Sequence, residues 1–229
     1  MFLTFLQSSI RFSTIFLFGS VGETLTEKSG NLNLGIPGIM CMGAAGGIIG
    51  EASYIASLSD ISQMSPFNAV FIPILMAMLF AGIGGLIYSV LTISMRCNQN
   101  VTGLALTTFG VGFISFFGGR INSTGFSEAS KYFTQTFSFA NDLGWFGKLF
   151  FSYGALVYIA IILAIITAIV IKKTRVGLNL RAVGENPATA DAAGISVTKY
   201  KYTATLIGSM IAGLGGLFYI CLLYTSDAA

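Results

Sequence analysis

The sequence predicts an all-α fold, a polytopic transmembrane helical bundle of about six helices at the span length a bilayer requires. Three observations predict it. Of the 229 residues, 54% are hydrophobic and 9% are charged. Mean hydropathy is +0.80. The apolar residues also come in successive runs of about 20, the length that crosses roughly 30 Å of hydrocarbon at 1.5 Å per residue. A soluble core of this size would not absorb so much apolar sequence, whereas lipid would. The net charge of +3 is modest and the Lys and Arg residues gather beside spans, so the charge sets membrane orientation and does not signal nucleic-acid binding. Histidine is absent, and Cys41 and Cys97 lie in or next to spans as small buried hydrophobes, too scattered for a disulfide framework or a zinc site.

The first span is 2–21. It lacks a basic leading region and a small-residue cleavage site, which argues against a removed signal peptide. Arg11 falls near its centre, at a cost of about 2.5–3.5 kcal/mol on insertion scales. Two outcomes follow: Arg11 faces the bundle interior or a water path, sharing a polar face with Gln7, Ser8 and Ser9, or the first turns lie in the interface and Arg11 snorkels. Turn residues Glu27-Lys28-Ser29-Gly30 end the run. The second span, 36–57, is interrupted by Gly38, Gly43, Gly46, Gly47 and Gly50. Such a segment suits a discontinuous transporter helix. The pairs Gly43/Gly47 and Gly46/Gly50 favour simple close packing, as do Ala81/Gly85, Ser209/Gly213 and Ala212/Gly216 elsewhere.

Ser65-Pro66 precedes the third span, 68–91, and Arg96–Asn100 separates it from the fourth, 100–119. Residues 120–149 form the main external segment, with Tyr132, Phe133, Phe137, Phe139, Trp145 and Phe146 suited to the headgroup level. Spans 150–171 and 201–220 complete the set. Between them, residues 172–201 hold the densest charge in the chain. Placing this loop in the cytoplasm puts Lys172, Lys173, Arg175, Arg181, Lys199 and Lys201 on the same side as Lys28 and Arg96, against Arg120, Lys131 and Lys148 outside. That bias obeys the positive-inside rule. Within the loop, Asn186 can cap a helix, Pro187 presets its first turn, and Gly194 stops it after Asp191, Ala192 and Ala193. A helix of about two turns is unstable alone, so a partner or the spans beneath must hold it. The segment reads as a docking surface.

The stretch Arg181–Gly194, RAVGENPATADAAG, resembles the coupling-loop motif of ATP-binding-cassette (ABC) importer permeases of the branched-chain amino acid and simple-sugar type. The stretch Gly22–Gly38, GETLTEKSGNLNLGIPG, is similar to the N-terminal signature of that family. Both fit best with its nucleoside branch, which works with lipoprotein receptors. The resemblance implies an all-helical permease that pairs with a second permease or with itself. It also implies a cytoplasmic ATPase that holds ATP and Mg, an extracellular substrate-binding lipoprotein, residence in the bacterial-type cell membrane among lipid, and no cofactor on this chain. The implied ATPase-coupling residues are Arg181, Gly184, Glu185, Asn186, Pro187, Asp191, Ala192, Ala193 and Gly194. One departure is Pro37, where many relatives carry Glu. A second is CLLYTSDAA, residues 221–229, which looks like a translated sequencing adapter and not native sequence. Residues 1–220 then form the permease domain of a C-terminally truncated chain.

Elimination agrees with the resemblance. A secondary transporter usually seats its coupling ion on intramembrane Asp, Glu or His, yet only Glu51 lies near a span, at its end. No catalytic or metal-binding constellation occurs. Gly147-Lys148 is followed by Leu149 and lacks the rest of a phosphate-binding loop. The reading is a non-enzymatic importer permease moving a small polar solute, with a nucleoside first and a sugar next. Its expected pathway residues are Arg11, Thr107, Thr108, Phe109 and Phe113, with Phe116 and Phe117 beside them; flat aromatic faces suit a nucleobase. The runner-up is an ion-coupled or facilitative carrier that works without an ATPase, and a third reading is a structural or assembly membrane protein.

Overall fold

The computed structural model describes residues 2–58, 60, 64–118, 130–133 and 144–226. Helix α1 runs Phe2–Lys28, α2 Ile36–Ala56, α3 Pro66–Ser89 with a π-helical extension Val90–Ser94, and α4 Gln99–Gly118. Then come α5 Gly144–Phe150, α6 Ala155–Lys173, α7 Arg175–Glu185, α8 Pro187–Ala192 and α9 Val197–Ser226. No strand occurs among the described residues.

Among the described residues, five segments are long and apolar enough to cross a membrane: Ile36–Ala56, Pro66–Ser94, Gln99–Gly118, Ala155–Lys173 and Val197–Leu223. They match five of the six expected spans. The sixth, expected over 2–21, is the front of a longer helix. Good helix formers carry α1 through Glu23, Glu27 and Lys28, so the apolar run and the helix do not end together. What ends α1 is Gly30, at φ +84°. Its N–H reaches the Glu27 carbonyl at 2.9 Å and the Asn31 N–H reaches the Thr26 carbonyl at 3.3 Å, the paired bonds of a glycine stop.

Helix α9 runs through the middle, packed on α1, α2 and α3, and α2 also lies between α3 and α4. Lipid offers no hydrophobic gain for helix association, so close backbone approach and dispersion must supply it. The glycine pairs do this as expected. Gly43 and Gly47 face α9 at Gly213 and Leu217, whereas Gly46 and Gly50 face α3 at Met76 and Phe80. A Cβ added at Gly43 would fall 2.5 Å from the Gly213 Cα, so the two backbones touch. Helix α2 is continuous over Ile36–Ala56, which settles its glycines as packing residues and not as a break.

The external aromatics divide. Trp145 and Phe146 on α5 are exposed, as interface anchors should be, but Phe133 is 3% exposed and belongs to the apolar core with Tyr153 and Leu156. A three-dimensional contact that sequence spacing does not register has drawn Phe133 inward. Phe137 and Phe139 lie outside the described residues. Helix α9 continues past the expected end at Ile220, and Cys221 is fully buried.

Candidate coupling surface and solute groove

The charged loop folds as two short helices and not one. Helix α7 begins at Thr174, whose hydroxyl accepts the Gly177 N–H at 3.1 Å. Gly177, Leu180 and Val183, three residues apart, form its buried face. Asn179 Nδ2 donates to the Tyr200 hydroxyl at 2.9 Å and ties α7 to the start of α9. Helix α8 then starts on Asn186, whose side chain accepts the Thr189 N–H at 3.1 Å with Pro187 in the first turn. It ends on Gly194 at φ +79°. Here the Gly194 N–H meets the Asp191 carbonyl at 2.8 Å and the Ile195 N–H meets the Ala190 carbonyl at 3.0 Å.

Glu185, Asn186, Pro187, Asp191, Ala192, Ala193 and Gly194 are all exposed on this one projection, and of α8 only Ala190 is buried. The other two expected coupling residues lie beneath them on α7. Arg181 is half-buried and its Nε has no partner. Gly184 sits against the Lys28 carbonyl and the Gly30 turn. A Cβ added at Gly30 would fall 3.1 Å from the Gly184 Cα. The two stretches that carry the family resemblance therefore touch, through a pair of glycines.

On the far side of that contact, residues 29–35 form a buried polar knot. Ser29, Asn31 and Asn33 are each at most 2% exposed. The Tyr88 hydroxyl of α3 donates to the Leu32 carbonyl, and Gln99 Oε1 of α4 accepts the Leu32 N–H at 2.8 Å. Asn31 Nδ2 reaches the Thr205 hydroxyl of α9 at 3.5 Å. Asn33 accepts the Gly35 N–H at 2.9 Å and gives its own main-chain N–H to Glu23 Oε1 at 2.9 Å. A non-helical segment packed between helices keeps its place because side chains satisfy its backbone in this way. Sequence reading singled out none of these polar partners except as parts of a motif.

Beside the knot, α1 and α2 border an open groove of about 940 Å³, with Tyr219 and Gly216 of α9 and Ile114 of α4 also on its wall. Glu23, Asn33, Ser20, Phe12, Phe16 and Pro37 line it. The expected pathway residues lie elsewhere. Thr107 donates to the Leu34 and Gly103 carbonyls, each at 3.1 Å, and Thr108 is exposed and bonds its own helix at Leu104. Phe109, Phe113 and Phe117 form a ring ladder along α4, with centroids 6.0 and 4.7 Å apart, and Phe80 of α3 tilts against Phe113 at 5.9 Å. Phe109 borders a smaller hollow of about 200 Å³.

Arg11 is half-buried, and its guanidinium donates to the Ser152 carbonyl in the connection before α6 at 3.5 Å. Burial pushes the Tyr153 hydroxyl above the ordinary phenol range, and the charge of Arg11 works against that rise. Arg11 and Phe109 thus border different hollows. Glu51, expected near a span end, is 1% exposed within α2, and neither carboxyl oxygen has a partner among the described residues.

Lipid-length helices with a short capped, exposed helix between two of them define a multi-pass helical membrane protein. Residues 5–228 match the family described as branched-chain amino acid transport system / permease component, and the chain belongs to that family. It is similar to the nucleoside ABC transporter permease protein NupC of Lactococcus lactis subsp. cremoris, at 31% identity over 91% of this chain and 64% of the relative. It is also similar to the putative glucose ABC transporter permease protein TsgC13 of Haloferax volcanii, at 30% identity over 92% of this chain and 60% of the relative. The guanosine ABC transporter permease protein NupQ of Bacillus subtilis is 30% identical over 87% of this chain and 61% of its own length. The chain therefore spans 60 to 64% of the length of these relatives. No solved structure matches it. Membership of this family and five apolar helices make it a multi-pass protein of the cell membrane.

Proposed function

We propose that this chain is the transmembrane permease subunit of an ATP-binding-cassette importer and that its solute is a nucleoside. In this reading a cytoplasmic ATPase holds ATP and Mg and seats α8 in a groove of its own surface. A second permease, or another copy of this one, completes the passage, and an extracellular lipoprotein delivers the solute. This chain hydrolyses nothing. The observation that carries the reading is α8 itself. Six residues cannot hold a helix in water, yet this one is capped at both ends and leaves its outer face uncovered. A preformed, exposed helix suits a motor that must push on it. Nucleoside and guanosine permeases among the relatives support the solute class.

Co-purification with a nucleotide-binding subunit tests it. The wild-type chain should retain the ATPase, and Glu185→Arg or Gly194→Asp should lose it while the permease stays in the membrane. Transport by the chain with no ATPase present would instead support an ion-coupled carrier, for which the unpartnered Glu51 would be the seat.

A further inference from the structure

The groove between α1 and α2 carries two hydrogen-bonding atoms that the protein leaves unspent, one of each polarity. Glu23 commits Oε1 to the Asn33 main-chain N–H at 2.9 Å, and its Oε2 is buried with no partner among the described residues. Asn33 is 2% exposed, commits Oδ1 to the Gly35 N–H at 2.9 Å, and leaves Nδ2 buried with no partner. Both residues line the groove. Buried polar groups nearly always find partners, because an orphan bears its desolvation cost without return. An unspent acceptor and an unspent donor on one wall together match a ligand edge that offers the reverse pair. Along the same groove, Phe12, Phe16 and Tyr219 keep 52%, 72% and 44% of their surface exposed, which gives a planar ring apolar faces to lie on.

The geometry points to this groove as the place where the solute is held, a nucleobase whose adjacent N–H and acceptor atoms pair with Glu23 Oε2 and Asn33 Nδ2 while its ring lies against the aromatics. This rests on the transport reading above and adds to it the binding wall and the recognised edge. It also moves the aromatic surface from the α4 ladder to α1 and α9. Adjacent sugar hydroxyls also offer a donor and an acceptor, so preference for the base over ribose rests on the aromatic faces, which a planar ring covers and a free pentose does not.

Competition in the assembled transporter tests it, with inosine as the probe and N1-methylinosine as the analogue that lacks the N–H. The wild type should prefer inosine by up to about tenfold, the worth of one hydrogen bond. Glu23→Gln, which swaps the free acceptor for a donor, should erase that preference, whereas Asn33→Asp, which swaps the free donor for an acceptor, should weaken competition by both nucleosides, because both keep the carbonyl that Nδ2 would meet. A second readout needs no substitution at the site. Cys41 lines the groove and is a free thiol, so in a Cys97→Ser background inosine should slow its alkylation and ribose should not. That readout decides the matter if either variant fails to assemble. ATP-dependent nucleoside uptake with no Cys41 protection and equal competition by the methylated analogue would overturn the groove assignment alone. Absence of nucleoside uptake by the wild type would overturn the transport reading and this inference with it.

Discussion

Gly30 and Gly194 end their helices by the same local chemistry, a left-handed glycine and two reversed hydrogen bonds, yet their surroundings are opposite. Gly30 is pressed against Gly184, with the polar knot of residues 29–35 behind it. Around Gly194 an added Cβ would meet nothing within 4 Å. The first stop is held by the chain itself; the second stands ready for something outside the chain. Two motifs that look equivalent in sequence thus sit differently, one fastening the bundle and the other left open, where the proposed function puts a handle.

Substitutions sharpen that contrast. Gly30→Val should be the most damaging. It combines a disfavoured backbone conformation, about 1–3 kcal/mol, with a clash against the Gly184 backbone that adds overpacking of similar size. Its melting temperature in detergent should fall well below that of wild type. Gly194→Val carries the backbone term alone, about 1–3 kcal/mol and confined to α8, so the bundle should melt nearly as wild type while ATPase association is lost. Equal melting losses at the two positions would erase the distinction. The smallest effect is expected from Asn186→Ala, which removes the α8 cap at a cost of about 1 kcal/mol. Hydrogen exchange at the Thr189 amide should quicken, with no change in the α2 amides.

Much of this architecture was legible from residue order. The Asn186–Pro187 start and Gly194 stop were read correctly because capping is local, settled within a few residues. The glycine pairs of α2 were read as packing residues for the same reason, since residues four apart share a helix face. What sequence reading missed depends on distant partners. Asn31 meets Thr205 across the fold, and Tyr88 of α3 secures Leu32. The second helix α7 was also missed, although Gly177, Leu180 and Val183 carry its period, because charge drew attention to the loop and hid its apolar face. Phe133 was placed at the membrane surface by its residue type and is drawn into the core by its contacts. The expected pathway residues follow aromatic content along α4, and the groove of about 940 Å³ could not be foreseen because α1, α2 and α9 are elements that no local pattern brings together.

The account depends on which side of the membrane α8 faces. A thiol placed at exposed Ala193 (Ala193→Cys) in a Cys41→Ser, Cys97→Ser background, probed with a membrane-impermeant maleimide in cells, measures this directly. The account predicts no labelling in intact cells, labelling once the membrane is opened, and protection when the ATPase is present. Labelling in intact cells would put α8 on the outer face and contradict it.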